Sequence, residues 1–316
     1  MNLLLKRIDH FLFKYTSIRP FVVLRISIAF FCLLYFFCTI NDIYNLLGLN
    51  DYIGREITEA TISSRLIPRI GWLINTLIKT GFTDHQSVSI IMGIYFIAML
   101  FMLVGLFTRP AIFMVWMIHM MIANSTAMYF YGVDAFTGIL LFYCLFIPTN
   151  RSWSLDIILF KKNEKKADTT YESFFIRLLQ IHICIAYFFG GVSKLIMPGW
   201  FSGNGIWQSL MYPNWKIIDF AFLANFPFST KLFGCCIVAL EVLYPLMVCF
   251  GKTRKLWLSF TILMHFFICC LMSLPFFGFI MIIFNMAAFG WNEFYPFLLK
   301  SFNRCALWLQ PIFKSA

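Results

Sequence analysis

Long apolar runs recur along the whole of this 316-residue chain, separated by short segments that carry most of its charge. Each run holds about 16 to 25 residues, close to the length that an α-helix needs to cross roughly 30 Å of hydrocarbon. Apolar residues make up 61% of the chain and charged residues 12%, whereas a soluble domain is nearer about half and about a quarter. The pattern predicts an all-α, polytopic helical transmembrane bundle, because backbone exposed to lipid must satisfy its own hydrogen bonds.

About eight spans are predicted from these runs. They cover residues 20–40, 86–107, 110–130, 134–148, 173–194, 230–250, 255–274 and 276–291. The whole chain, 1–316, is expected to form a single integral membrane domain with its core at 15–291. Residues 292–316 are expected to form a short cytoplasmic tail.

The distribution of basic residues predicts the orientation of the spans. With the N-terminus in the cytoplasm, sixteen of the 25 Lys and Arg residues fall on the inner side. An excess of Lys and Arg in short loops marks the cytoplasmic side of a membrane protein. Both termini are therefore expected in the cytoplasm, and the fifth span, 173–194, is expected to end on the outer side.

Several function classes are disfavoured by composition and by missing motifs. The net charge of +11 does not indicate a nucleic-acid partner, because the surplus belongs to a membrane protein's inner loops. The sequence contains no Walker loop, HExxH, GxSxG or CxxC motif, so nucleotide, metalloprotease and metal sites are not predicted. Membrane lipid is the partner that the composition predicts directly.

The fifth span carries a polar face along its whole length. At about 100° per residue, its polar and small side chains fall within a stripe about 100° wide. These residues are Arg177, Gln180, Cys184, Tyr187, Gly191 and Lys194. Most other positions of this span are Phe, Leu or Ile, so the stripe is expected to face the protein interior.

Two interpretations of Lys194 follow from its place at the end of this stripe. A lysine at a helix terminus often extends its charged head to the membrane interface and has no further role. The alignment with Arg177 and Tyr187 favours a functional residue instead. Gly190 and Gly191 would let a neighbouring helix approach Lys194 and partly remove it from water, which can turn a lysine into a base.

Other ionisable residues lie inside predicted spans and therefore need partners. Glu241 lies in the middle of the sixth span and His265 in the middle of the seventh. Arg25 lies near the start of the first span, where it either extends to the interface or pairs with a carboxylate such as Glu241. For a single histidine such as His265, a structural role and a catalytic role both stay open.

The order of several motifs resembles a known family. The motifs are "VLRISIAFF", "GLFTRP", "NSTAMYFYG", "NRSWSLD", "QIHICIAYFFGGVSKLIMPGWFSG" and "FTILMHFFICC". Together they resemble the HTTM (horizontally transferred transmembrane) family, which shares the membrane domain of vitamin K-dependent gamma-carboxylases. The resemblance covers most of residues 15–290, and the block around Lys194 is its most specific part.

The resemblance implies roles for several residues. In the carboxylases, the second lysine of a Val-Lys-Lys-Leu segment deprotonates reduced vitamin K. That segment reads Val-Ser-Lys-Leu here, so the role of the base falls on Lys194. Trp200 and Gly203 match the Trp-x-x-Gly that follows in the family, and His265 matches a histidine of a later span. The implied cofactor is vitamin K hydroquinone or another reduced quinone.

Two departures from the carboxylase pattern bear on function. The carboxylases carry an Asn-His pair before Trp-Ser-Val-Asp, whereas this chain has Asn150 and Arg151. The carboxylases also continue into a large lumenal domain that helps to bind the protein substrate. This chain stops about 25 residues after its last predicted span, so the docking of a propeptide is not implied by the resemblance.

Three hypotheses on function follow. The first is a carboxylase-like membrane enzyme, a lyase, that modifies a peptide or small substrate at the outer face. Lys194 would be its base, Glu241 and His265 would share the catalytic site, and the cofactor would bind along Arg177, Gln180, Tyr187, Gly191 and Trp200. The second is a non-catalytic membrane partner for the maturation or export of a secreted peptide, similar to the membrane protein of the sporulation-delaying peptide system. The third, a small-molecule transporter, would be favoured by inverted repeats, and the sequence shows none. The short length suggests a bacterial inner membrane as the location.

Overall fold

Helices form nearly all of the regular structure of this protein. The computed structural model describes residues 3–14, 19–49, 52, 54–60, 62, 64, 66–126, 129–160, 169–212, 218–291 and 293–295. Within these ranges no residue belongs to a strand, which confirms the all-α prediction for this part of the chain. Most of the predicted cytoplasmic tail, 292–316, lies outside the described residues.

The described residues contain sixteen α-helices. In chain order they are α1 Leu3–Phe13, α2 Arg19–Thr39, α3 Ile43–Leu47, α4 Arg55–Ala60, α5 Ile70–Lys79, α6 Asp84–Val104, α7 Thr108–Ser125, α8 Gly132–Phe146, α9 Leu155–Phe160, α10 Thr169–Ile196, α11 Gly199–Ser202, α12 Asn204–Met211, α13 Pro227–Val242, α14 Tyr244–Cys249, α15 Gly251–Leu271 and α16 Pro275–Asn285. Two 3₁₀ helices, Thr149–Arg151 and Ala221–Asn225, and a π-helix, Met286–Gly290, complete the set.

Each predicted span overlaps at least one of these helices, but not every such helix is long and apolar enough to cross a membrane by itself. Four are, in the described part of the chain: α2, α6, α15 and the segment Tyr171–Ile196 of α10. The shorter apolar helices include α8 and the segment Pro275–Gly290. The chain is therefore a membrane protein with four clear candidate spans, whereas the number eight and the side of each terminus stay predictions.

The sixth predicted span, 230–250, is two helices rather than one. The first part, α13, ends at Val242, and α14 begins at Tyr244 with Pro245 in its first turn. Proline lacks a backbone N–H and its ring clashes with the preceding turn, so it is tolerated at the start of a helix but not inside one. The break places Glu241 in the last turn of α13, close to the discontinuity.

Local sequence signals explain several helix ends. Thr83 and Gln86 form a reciprocal capping box at the start of α6, each side chain binding the other's backbone N–H. The same helix ends at Gly105, whose φ of 72° is the left-handed conformation that glycine adopts without strain. The residue that precedes α7, Phe107, also has a positive φ, so the α6–α7 turn is tight.

The described chain divides into two compact units, Met1–Phe175 and Ile176–Ala316. In the first unit, α2 packs against α6 and α8, and α7 packs between α6 and α8. In the second unit, α15 packs closely along α16 and also contacts α14 and α13, while α11 and α12 pack against α13. Most of α10 belongs to the second unit, where its polar face meets residues of α13, α14, α15 and α16.

Candidate functional site

The polar face of α10 is buried or half-buried along its length, in agreement with the prediction that it faces the protein interior. Gly191 is buried, and Gln180 and Tyr187 are 9% and 4% exposed. Residues on other faces, such as Phe189, which is 63% exposed, are directed away from the interior of the second unit. The alignment of polar residues along one face of a helix therefore identified the side that packs against other helices.

Lys194 forms an ion pair with Glu241. The distance from Lys194 Nζ to Glu241 Oε2 is 2.7 Å, and the two side chains are 24% and 11% exposed. Lys194 Nζ also lies 3.4 Å from the carbonyl oxygen of Gly190. The carboxylate thus has the charged partner that a residue in a predicted span requires, and part of the lysine side chain remains accessible.

Glycine at position 191 makes this pair possible. A Cβ at Gly191 would lie 2.7 Å from the backbone nitrogen of Val242 and 3.0 Å from Cβ of Glu241. Both distances are shorter than real Cβ contacts, so only glycine lets α13 come this close to α10. At Gly190 the nearest atom would be Glu241 Oε2 at 3.6 Å, which is an ordinary contact. The expected close approach of a neighbouring helix is therefore observed, and Gly191 is the residue that permits it.

Trp200 lies against the same lysine. Its ring is 5.4 Å from Lys194 Nζ, a distance at which the aromatic face attracts a cation. The tryptophan lies on the short helix α11, and a Cβ at Gly234 of α13 would lie only 2.2 Å from the Trp200 carbonyl oxygen. A glycine in α13 thus allows α11 to pack closely enough to hold Trp200 beside Lys194.

His265 and Tyr187 meet in the middle of the second unit. Tyr187 Oη lies 2.7 Å from His265 Nε2, and the two rings are tilted with centroids 5.9 Å apart. Asn285 and Tyr244 join the same network, with hydrogen bonds of 2.7 Å from Asn285 to Tyr187 and from Tyr244 to Asn285. Two predicted site residues are therefore in contact, but with each other rather than directly with Lys194.

Arg177 and Gln180 lie at the other end of α10. Arg177 donates to Gln180 Oε1 at 2.8 Å, and Gln180 Nε2 donates to the carbonyl oxygen of Ala288 at 2.7 Å. With a rise of about 1.5 Å per residue, Arg177 lies roughly 25 Å along the helix from Lys194. The predicted cofactor-binding residues therefore lie in three places. Arg177 and Gln180 lie together, Tyr187 belongs to the network of His265, and only Gly191 and Trp200 lie beside Lys194.

Asn285 and Tyr244 were not among the residues predicted from sequence. Both have 0% exposure, and both bind a residue that was predicted. A signal for Asn285 was present, since it is a lone amide in the apolar run "PFFGFIMIIFNMAAFG", and polar side chains inside spans usually have functional or structural partners. Tyr244 carries no such signal, because tyrosine is common at many positions of membrane helices.

Arg25 is held in the first unit, and its proposed pairing with Glu241 is wrong. Its guanidinium donates to the carbonyl oxygens of Thr149, at 3.1 Å, and Trp153, at 2.5 Å. Arg25 is 0% exposed, and the carboxylate of Glu241 is bound to Lys194 instead. The buried arginine joins α2 to the segment before α9, which is a structural role.

Arg151, at the position where the resemblance to the carboxylases places a histidine, has a structural partner. Arg151 forms an ion pair with Glu172, at the start of α10. Glu172 is 2% exposed, so the arginine neutralises a carboxylate that is otherwise buried. In this chain Arg151 therefore holds two segments of the first unit together.

Asp156 lies outside the predicted spans, in α9, and closes the α6–α7 turn. It accepts hydrogen bonds from the backbone N–H groups of Phe107 and Thr108, at 2.7 and 3.0 Å, and from the Thr108 hydroxyl at 2.7 Å. Burial alone would raise the pKa of Asp156, but these hydrogen bonds favour the ionised form and together hold the pKa below its ordinary value.

A cavity of about 680 Å³ lies in the second unit, on the side of α13 and α15 that faces α12. It is lined by apolar side chains such as Phe233, Leu240, Phe260 and Phe267. None of the predicted site residues lines it, so this cavity does not form the surroundings of Lys194. In the described part of the chain, no group of three or more His, Cys, Asp or Glu residues is placed to hold a metal ion.

Comparison with known proteins identifies the family. The model of the HTTM domain matches residues 71–292, a range that contains Lys194, Glu241 and His265. No curated protein and no solved structure matches the chain. Since the matched range covers more than half of the sequence, and since the helices within it are those of a membrane protein, the chain belongs to the HTTM domain family.

Proposed function

We propose that this HTTM protein is a membrane enzyme related to the gamma-carboxylases, in which Lys194 and Glu241 act together as the proton-accepting group. The observation that carries the proposal is their 2.7 Å ion pair, in which the lysine still has 24% of its side chain exposed. The ammonium group is bound by Glu241, and part of the lysine side chain remains accessible.

The chemistry of the pair suits a general base. A general base must accept a proton, so a lysine has to be a neutral amine at the moment of reaction. Glu241 is hydrogen-bonded to Lys194 and can take the ammonium proton, which leaves the amine free. A nearly apolar environment favours this exchange, because it converts two charged groups into two neutral ones. Trp200 excludes water from one side of the lysine and favours the charged form again after the proton is accepted.

A reduced quinone is the cofactor that the family implies, and the residues beside Lys194 fit it. The proton-accepting pair can take the proton of an acidic phenol, and the flat face of Trp200 can stack against an aromatic ring. When bound, the group would supply the phenolic proton and an oxidisable ring. Lys194 and Trp200 would hold the reacting end, and Gly191 would keep Glu241 close enough to take the lysine proton. A secreted peptide or a small molecule at the outer face is the substrate class proposed.

The experiment is turnover by the purified protein in lipid nanodiscs. Wild-type protein is given vitamin K hydroquinone or menaquinol, with oxygen and carbon dioxide, and loss of the quinol is followed by mass spectrometry. Lys194→Met is expected to lower turnover by about 10²-fold or more, the usual contribution of a general base. The matched control is Lys231→Met, because Lys231 is an exposed lysine of α13.

A second variant separates catalysis from folding. Lys194→Met alone leaves Glu241 as a buried charge without its partner, which can unfold the protein. The double variant Lys194→Met/Glu241→Gln removes that charge and is expected to melt close to wild type and still lack turnover. Full turnover in the double variant would show that the pair is not the base. Absence of quinol turnover in the wild type would instead favour the non-catalytic peptide-maturation role.

A further inference from the structure

A buried hydrogen-bond network joins four helices of the second unit. Its members are Tyr187 of α10, Tyr244 of α14, His265 of α15 and Asn285 of α16, each at most 4% exposed. The rings of Tyr187 and Tyr244 are also stacked, with centroids 4.1 Å apart. Burying polar groups in an apolar interior costs free energy unless each group forms a hydrogen bond. The direction of each hydrogen bond in the network can therefore be inferred from its neighbours.

The amide of Asn285 has only one orientation that satisfies its neighbours. Its Nδ2 lies 2.8 Å from the backbone carbonyl oxygen of Met281, which can only accept a hydrogen bond. The nitrogen therefore points to that carbonyl, and its second hydrogen is donated to Tyr187 Oη at 2.7 Å. The amide oxygen accepts a hydrogen bond from the Tyr244 hydroxyl, also at 2.7 Å.

This orientation fixes the tautomer of His265. In the described structure, the Tyr187 hydroxyl has two hydrogen-bonding partners, Asn285 and His265. It accepts from Asn285 and donates to His265 Nε2, because the reverse bond would leave both the Tyr187 hydroxyl hydrogen and His265 Nδ1 unpaired among the described residues. A neutral imidazole carries one proton, and because Nε2 accepts, that proton lies on Nδ1. Nδ1–H is thus a donor.

That donor has no partner in the described residues. His265 Nδ1 is buried and makes no hydrogen bond, and the whole residue is 3% exposed. Leaving a buried donor unpaired costs about 1–3 kcal/mol. The network therefore orients a buried donor that has no partner among the described residues, and such a group needs an explanation, of which a bound molecule is one. A π-helix begins directly after Asn285, and such irregularities are frequent at functional sites.

We propose that Asn285 and Tyr187 are positioning residues that hold His265 in the Nδ1–H tautomer, and that this N–H donates to an oxygen atom of a neutral, membrane-soluble molecule. A quinone carbonyl has the required chemistry, since it accepts a hydrogen bond and enters from lipid. His265 has no acidic residue among its hydrogen-bond partners, so it does not need to become charged in order to donate. The identity of the ligand rests on the proposed function, whereas the tautomer does not depend on Lys194.

The tautomer is tested by nitrogen NMR of histidine-labelled protein in nanodiscs. The signal of His265 is identified by its loss in His265→Asn, since the chain has five histidines. The expected spectrum has Nδ1 protonated and Nε2 unprotonated. Tyr187→Phe removes the donor to Nε2 and is expected to produce a population protonated at Nε2. Tyr244→Phe is the matched control, because it keeps the bonds from Asn285 to Tyr187 and from Tyr187 to His265. Protonation at Nε2 in the wild type, or an unchanged tautomer in Tyr187→Phe, overturns the proposal.

The ligand is tested with two probes of the same size. Duroquinone has two carbonyl oxygens, and durene has the same ring and methyl groups without oxygen. Duroquinone is expected to shift the Nδ1–H proton signal of His265, and durene is expected to leave it unchanged. A shift with both probes, or with neither, overturns the proposal, and fast exchange with water under both probes would identify a buried water as the partner. The same measurement on Lys194→Met separates this inference from the proposed function, since the duroquinone shift is expected to persist there.

Discussion

At the scale of single residues, an ionisable side chain in a membrane protein needs a partner that stabilises its charge. Lys194 is bound by Glu241, and Arg151 by Glu172. Arg25 is held by two backbone carbonyls, and no carboxylate of the described residues forms a hydrogen bond with it. Of these, only Lys194 retains a substantially accessible charge within a predicted span, and this is why the functional proposal rests on it.

Asp156 provides a prediction on pH at the residue scale. Its folded-state pKa is lowered from an ordinary value near 3.8, so its contribution to stability is fully present above that value. The contribution is lost as the pH falls through the folded-state pKa. Asp156→Asn is expected to lower the free energy of unfolding by about 1–3 kcal/mol at neutral pH, because the Phe107 and Thr108 donors lose their charged acceptor.

The measurement is the melting temperature in detergent from neutral pH down to about pH 3. The difference between wild type and Asp156→Asn should be constant near neutrality and become smaller on acidification, as the wild-type carboxylate is protonated. A difference that does not change down to the lowest pH would contradict a stabilising ionised Asp156. The exposed Asp219, outside the predicted spans, gives a comparison substitution by Asn.

At the scale of elements, α10 organises the second unit through one face. Its residues meet α13 at Gly191 and Lys194, α15 at Tyr187, and the π-helix at Gln180. These contacts all lie on one side of the helix, because successive residues are rotated by about 100° around its axis. The helix therefore connects the ion pair and the buried network, although it brings Arg177 and Lys194 to opposite ends.

The α10–α13 contact is tested by adding one methyl group. Gly191→Ala is expected to destabilise the protein by about 1–3 kcal/mol, because its Cβ would overlap Val242 and Glu241. It is also expected to separate Glu241 from Lys194 and so to lower quinol turnover. Gly190→Ala is the matched control, since its Cβ would make an ordinary 3.6 Å contact. Equal melting temperatures for the two variants would show that the helices do not pack as described.

At the scale of the whole molecule, the number of spans decides which loops share a side of the membrane. Among the helices that the structure describes, four are long and apolar enough to cross by themselves, and the other predicted spans are shorter helices or a broken pair. Short or broken helices do occur in membrane proteins where neighbouring helices satisfy the freed backbone. The positive-inside distribution favours eight spans.

Two positions distinguish eight spans from four. With eight, Lys252 lies in the cytoplasm and Ser273 outside. With only α2, α6, α10 and α15 crossing, the two positions exchange sides. Single cysteines at 252 and 273, in a variant that lacks the ten native cysteines, can be labelled from one side with a membrane-impermeant maleimide. Labelling from outside at 273 and not at 252 is expected, and the opposite pattern would exclude eight spans with a cytoplasmic N-terminus.

Much of the site was predictable because its signals are local. The apolar runs predict helices in a membrane, and the spacing of Arg177, Gln180, Tyr187 and Lys194 predicts which face of α10 is buried. The close approach of a neighbouring helix at Gly191 could also be predicted, because glycine has no side chain. These properties depend on composition and on the helical period, both of which can be read within a single segment.

The sequence by itself determined that this chain is helical, that it belongs in a membrane and that Lys194 ends a buried polar face. The tertiary structure decided the partners: Glu241 for Lys194, and Asn285 and Tyr244 in the network of His265. It also separated Arg177 from Lys194 and broke the sixth span beside Glu241. The reason is geometric, because a side chain's partner depends on the rotation and the axial position of two helices that are distant in sequence, and no single segment contains that information.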